Sequence, residues 1–88
     1  MADDESAALL RLIAEIIADE TGASRLPRMN RATRASQVPG WDSLIHTRIV
    51  LALEERLGLS IDVARTYECR DLGGLVDYLS ELSAAAHG

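Results

Sequence analysis

Apolar residues recur at spacings of three and four in three separate stretches, and this period most restricts what the chain can fold into. The first stretch runs from about Ser6 to Thr21 and carries Leu9, Leu10, Leu12, Ile13, Ile16 and Ile17. The second runs from about Ser43 to Leu57, with His46, Ile49, Val50, Leu53 and Leu57 on one stripe. The third follows Asp71 and runs to about Ser83, with Leu72, Leu75, Val76, Leu79 and Leu82. Composition points the same way. The chain holds 13 Ala and 13 Leu against 4 Val, 2 Tyr, 1 Trp and no Phe. Strong helix formers therefore outweigh the β-branched and aromatic residues that favour strands. At 88 residues the chain is one small domain, 1–88, with residues 1–5 and 84–88 expected to fray. A Rossmann domain, a barrel or an α/β-hydrolase does not fit this length.

Punctuation residues bound the segments. Asp3, Asp4 and Glu5 lie near the start of the first helix, where its dipole favours negative charge. Gly22 and Gly58 suit left-handed caps after the first two helices. Pro39-Gly40 makes a turn, and Asp42 is a good N-cap for the second helix. Val63 to Arg70 reads as one short or irregular helix, and Asp71 caps the last one. Gly73 and Gly74 weaken that helix's first turn but leave room for close packing. The expected fold is all-α: a small four-helix bundle of three longer helices and one short, with a long ordered loop between the first two. The expected core is Leu9, Ile13, Ile16, Leu26, Val38, Ile49, Val50, Leu53, Leu57, Ile61, Cys69, Leu72, Leu75, Val76 and Leu79.

Charge and cysteine usage exclude several classes. The net charge is −5, and all nine basic residues are Arg. Nucleic-acid binding runs on basic surface, so no nucleic-acid partner is expected. Cys69 is the only cysteine, and no Cys/His cluster has metal spacing, so no metal site is expected. No apolar run approaches the roughly 18–20 residues that a membrane span needs. The acidic start is the wrong sign for a signal peptide. The expectation is a cytoplasmic, monomeric protein with no membrane contact. The loop 23–41 holds Arg25, Arg28, Arg31 and Arg34, with Leu26, Met29 and Val38 as the plugs that pin it to the core. Its arginines either pair with the acidic helices, the commoner outcome, or meet a partner.

One constellation carries sharp chemistry: Gly40-Trp41-Asp42-Ser43-Leu44. A serine opening a helix after a proline-glycine turn presents its hydroxyl to solvent. Free backbone N–H groups and the helix dipole there suit an attached phosphate. Taken alone, Asp42 and Ser43 could equally be an ordinary helix cap. The layout around them adds to this. Asp42-Ser43-Leu44 opens the second helix and Leu51-Ala52-Leu53-Glu54-Glu55-Arg56-Leu57-Gly58 closes it. Ile61 follows, and Leu72-Gly73 comes eleven residues later. In these features nearly the whole chain resembles the acyl carrier protein family.

That resemblance implies a non-catalytic carrier. Ser43 would bear 4′-phosphopantetheine through a phosphodiester, placed there from coenzyme A by a phosphopantetheinyl transferase. Asp42 would cap the helix and help the transferase bind its magnesium ion. The thiol of the arm would carry an acyl group as a thioester, and the protein would offer a shallow apolar groove for it. Acyl- or aminoacyl-loading and processing enzymes would dock around Ser43, on Trp41, Leu44, Thr47, Arg48, Leu51 and Glu55. Leu44 and Leu51 would form the apolar centre, and Arg48 and Glu55 the charged rim. Trp41 either packs over the loop or meets a partner or the arm.

Two departures bear on the pathway. Trp41 stands where fatty-acid carriers tend to have a small residue, and His46, Arg48 and Arg56 make the second helix less acidic than theirs. Both features resemble stand-alone carriers of polyketide or nonribosomal peptide biosynthesis, with a fatty-acid synthase carrier as the alternative. A second alternative is an unmodified helical adaptor, which gives no reason for the Asp-Ser-Leu triplet. A serine hydrolase is the third. Gly40 to Leu44 superficially resembles such a signature, but that chemistry needs a placed base, an oxyanion hole and a much longer chain.

Overall fold

The computed structural model describes residues 2–22 and 29–87, and the regular structure in them is all helical. Four helices follow one another: α1 at Ala2–Thr21, α2 at Ser43–Leu57, α3 at Val63–Tyr67 and α4 at Leu72–His87. A 3-10 turn at Ala35–Gln37 lies between α1 and α2. The bundle of three longer helices and one short one is the fold that the apolar period predicts.

The ends differ from expectation. Helix α1 begins at Ala2 rather than near Ser6, and α4 continues to His87 rather than stopping near Ser83. Both extensions have a local cause. Asp4 and Glu5 sit in the early turns of α1, on the favourable side of its dipole. Ala84, Ala85 and Ala86 are the best helix formers and continue α4 at no cost in side-chain entropy.

Helix α1 packs against both α2 and α4. Ile13 and Ile17 of α1, Ile49, Val50 and Leu53 of α2, and Val76 and Leu79 of α4 are shut off from solvent. Leu9, Ile16, Val38, Ile61, Leu72 and Leu75 complete the core. Three details depart from the expected set. Ile17 belongs to the core because it stands one turn above Ile13 on the same face. Leu57 is only half-buried, being the last residue of α2 before the chain turns at Gly58. Cys69 is half-buried among charged neighbours just past α3. Leu26, Arg25 and Arg28 lie outside the described residues.

The loop is tied to α4 by backbone bonds. Leu72 N–H donates to the Thr33 carbonyl at 2.9 Å, and Gly73 N–H donates to the Arg31 carbonyl at 2.8 Å. Two of the donors that a helix start leaves unpaired are thereby satisfied. Gly73 is needed for this approach: a Cβ there would stand 3.0 Å from both the Cβ and the carbonyl oxygen of Arg31. Arg31 also pairs with Asp77 of α4, its Nη2 lying 2.9 and 3.0 Å from the two carboxylate oxygens. Both side chains are exposed, so the pair contributes little. Val38 is buried and Met29 half-buried, as plugs for the loop. Among the described residues Arg34 has no ion-pair partner.

Candidate functional site

The approach to Ser43 is set by a turn. Val38-Pro39-Gly40-Trp41 closes with Trp41 N–H donating to the Val38 carbonyl at 3.3 Å. Proline fixes the second position, and glycine takes the third at φ 85°, a left-handed conformation that side-chain-bearing residues resist. Asp42 then leaves the turn in an extended conformation and caps α2, its Oδ1 accepting from Ile45 N–H at 2.9 Å. Ser43 is the first residue of α2 and is exposed. Its carbonyl accepts from Thr47 Oγ1 at 3.2 Å, while its own hydroxyl has no partner among the described residues. The backbone N–H groups of Ser43 and Leu44 are not bonded within the described residues either, since Asp42 serves Ile45 and His46. An exposed hydroxyl thus sits at the positive end of a 15-residue helix.

Helix α3 faces this point and is held by side chains from α2 and α4. Glu54 Oε2 accepts from Ile61 N–H at 2.7 Å, and Tyr78 Oη accepts from Asp62 N–H at 3.1 Å. Asp62 caps α3 through Ala64 N–H at 3.0 Å. These bonds set Thr66 and Tyr67 opposite His46. Thr66 is the one buried polar side chain among the described residues.

His46 links the two helices. Its Nδ1 accepts from Trp41 Nε1–H at 3.1 Å, so in the neutral ring Nε2 carries the proton. That proton points to Thr66 Oγ1 at 2.7 Å, and Thr66 passes its own hydroxyl proton to the Val63 carbonyl at 2.6 Å. Every donor in the chain Trp41–His46–Thr66–Val63 meets an acceptor. Burial lowers the His46 pKa and favours this neutral form. The rings also stack. Tyr67 lies over His46 with centroids 4.1 Å apart and planes inclined by 22°, and Trp41 lies 5.8 Å from His46 at 30°. Trp41, Ser43, His46, Thr66 and Tyr67 line a cleft of about 310 Å³.

Catalysis by Ser43 finds no support here. Both His46 nitrogens are occupied, one by Trp41 and one by Thr66, so neither serves as base to the Ser43 hydroxyl.

Residues 7–79 match the family model described as phosphopantetheine attachment site. The chain belongs to that family, the acyl carrier proteins. Nothing among the curated proteins or the solved structures matches it significantly. Members of this family are carriers rather than catalysts, and they hold 4′-phosphopantetheine covalently. The residues present fit that group: an exposed hydroxyl, unbonded N–H groups and a helix N-terminus converge at one point.

The other residues named from sequence surround the carrier's Ser43 in distinct ways. Leu44 and Leu51 are 67% and 56% exposed, and Glu55 is exposed beside them. The Thr47 hydroxyl is turned back onto its own helix. Arg48 Nε pairs with Glu20 Oε1 of α1 at 2.7 Å and so braces α2 against α1. Trp41 is half-buried, held by His46 at the cleft. Sequence reasoning turned His46 inward but missed Thr66 and Tyr67. A signal existed: a histidine on an apolar stripe needs a polar partner, and α3 offers the hydroxyls of Thr66 and Tyr67. The Cys69 thiol donates to the Arg65 carbonyl at 3.6 Å. Burial raises its pKa, with Glu68, Asp71 and Asp77 adding to the rise and Arg65 opposing it. A thiol held protonated in this way is a poor nucleophile.

Proposed function

We propose that Ser43 is the attachment point of 4′-phosphopantetheine and that the chain carries intermediates of a polyketide, nonribosomal peptide or related specialised pathway. The observation that carries the site is the free, exposed Ser43 hydroxyl on the first residue of a capped helix. In the loading step the serine oxygen takes the phosphopantetheine phosphorus of coenzyme A. The diphosphate linkage breaks, adenosine 3′,5′-bisphosphate leaves, and the serine proton is lost. When bound, the arm supplies a thiol that holds an acyl group as a thioester.

The chain's own residues orient this exchange. Asp42 fixes the helix start through Oδ1, while Oδ2 makes no hydrogen bond among the described residues and is free for the transferase's magnesium ion. The Ser43 and Leu44 N–H groups, unbonded among the described residues, would offset the charge of the phosphodiester. Leu44 and Leu51 give partners a small apolar contact of the kind that fast exchange requires. Trp41 and the mixed charges of α2 support the specialised pathways over fatty-acid synthesis.

Intact mass after incubation with coenzyme A and a phosphopantetheinyl transferase tests the site. Wild type gains one phosphopantetheine and Ser43→Ala gains none, with unchanged helical content. Loading that persists in the variant overturns the assignment. Loading assays with acyl- and aminoacyl-activating enzymes then test the pathway.

A further inference from the structure

The wall beside Ser43 differs from the plain apolar groove expected for a carrier. It is built of three rings, Trp41, His46 and Tyr67, backed by a threonine. We propose that this cleft is a stacking site for a planar, aromatic acyl group carried on the arm, and so selects the class of cargo. The proposal rests on the reading that Ser43 bears the arm, because Ser43 lines the same cleft.

Three observations support a flat guest. Tyr67 is 56% exposed although its ring stacks at 4.1 Å on His46, which leaves much of its surface open beside the cleft. Aromatic pairs favour offset or edge contacts, so a further flat group extends such a run without rearranging it. The polar side-chain atoms of Trp41, His46 and Thr66 are already paired: Trp41 with His46, His46 with Thr66, Thr66 with Val63. An apolar ring laid against these three side chains therefore strands none of their donors or acceptors. Size is the third. About 310 Å³ is at the small end of ligand sites, and Ile49, Val50 and Leu53 on the core side of α2 are at most 1% exposed. A compact plate fits this shelf better than a long flexible chain, which loses more rotational freedom on being held.

The chain's one tryptophan, Trp41, lies in the wall and reports on occupancy. A transferase that accepts acyl-coenzyme A substrates is used to prepare the holo, benzoyl and hexanoyl forms. Intact mass verifies each form and its absence in Ser43→Ala, so failure of the Ser43 reading shows at this step. Acrylamide quenching of Trp41 is then measured. Stacking should lower the quenching constant of the benzoyl form about twofold relative to holo, with the hexanoyl form close to holo. Tyr67→Phe should keep the protection and Tyr67→Ala should lose it, both with wild-type circular dichroism. A benzoyl form that quenches like holo overturns the proposal. So does equal protection by hexanoyl, or protection that survives Tyr67→Ala.

Discussion

The two ends of α2 are built from different materials. Its middle and C-terminal half press Ile49, Val50 and Leu53 into the core against α1, where aliphatic surface is removed from water and shape alone decides the fit. Its N-terminal turn is held to α3 and the preceding loop by a line of hydrogen bonds and stacked rings through His46. Aliphatic burial is strong and non-directional, so it holds a fold but marks no point on it. Hydrogen bonds add little net stability but set direction, which suits the place proposed here for attachment of the arm. The carrier therefore keeps its stability and its chemistry on separate parts of one helix, and substitutions should separate them.

The largest effect should come from the aliphatic end. Leu53 is fully buried, and Leu53→Ala should cost about 2–5 kcal/mol in chemical denaturation. The protein that remains folded should still be loaded by a transferase. A cost near zero would show that the core does not hinge on α2.

A pair of neighbouring glycines sharpens the comparison. At Gly73 an added Cβ meets the Arg31 backbone at 3.0 Å, so Gly73→Ala should destabilise by about 1–2 kcal/mol by pushing the loop off α4. At Gly74 the nearest atoms stand at 3.5 Å, an ordinary contact. Gly74→Ala should be neutral or stabilising by about 0.5 kcal/mol through helix propensity. Melting curves of the two variants should move in opposite directions. Equal shifts would mean that the loop bonds to Leu72 and Gly73 do not position α4.

Acid should act on the other end. Burial holds His46 below its ordinary pKa, so between the folded and unfolded values the unfolded chain binds more protons. The contribution is full above the unfolded value of about 6.5 and is lost as pH falls through the folded one. Protonation also sets an Nδ1–H against Trp41 Nε1–H, two donors face to face. Asp42 on the loop side and Tyr67 and Cys69 on the α3 side are the other titratable groups that line the cleft. Acidification should therefore change Trp41 fluorescence before the helical signal falls. His46→Gln should abolish that early change. A fluorescence change coincident with unfolding would deny the two ends their independence.

These differences explain what the sequence made legible. The stripes Leu9 to Ile17, Ile49 to Leu57 and Leu72 to Leu82 repeat with the helical period, so the bundle could be read from spacing alone. Asp42, Gly22, Gly40 and Gly58 act within a few residues of themselves, and their caps and turns were readable for the same reason. The cleft was not. His46 and Thr66 are twenty residues apart, and their bond depends on how α3 is hung between Glu54 and Tyr78. The brace between Arg48 and Glu20 was hidden likewise, because exposed charges carry no period that names their partner.

The smallest effect on stability should come from the face beside Ser43. Leu44 is 67% exposed and packs into nothing, so Leu44→Ala should change stability by less than about 0.5 kcal/mol. Arg48 is a less clean probe of the same face. Its guanidinium meets Glu20, whose side chain is only 20% exposed, and Arg48→Glu would set two carboxylates against each other. That variant mixes lost docking with a weakened contact between α1 and α2. Arg48→Gln removes the charge without adding the repulsion, at a cost of about 0.5 kcal/mol or less for a surface pair. If partners dock on this face, Leu44→Ala should slow acyl transfer several-fold at unchanged melting temperature. Arg48→Gln should slow it less, and its effect should fade as salt is raised, because screening removes what an exposed charge contributes. Transfer unchanged in both variants would move the docking surface away from α2. The remaining basic surface would then be the loop, where Arg34 is exposed and without an ion-pair partner among the described residues.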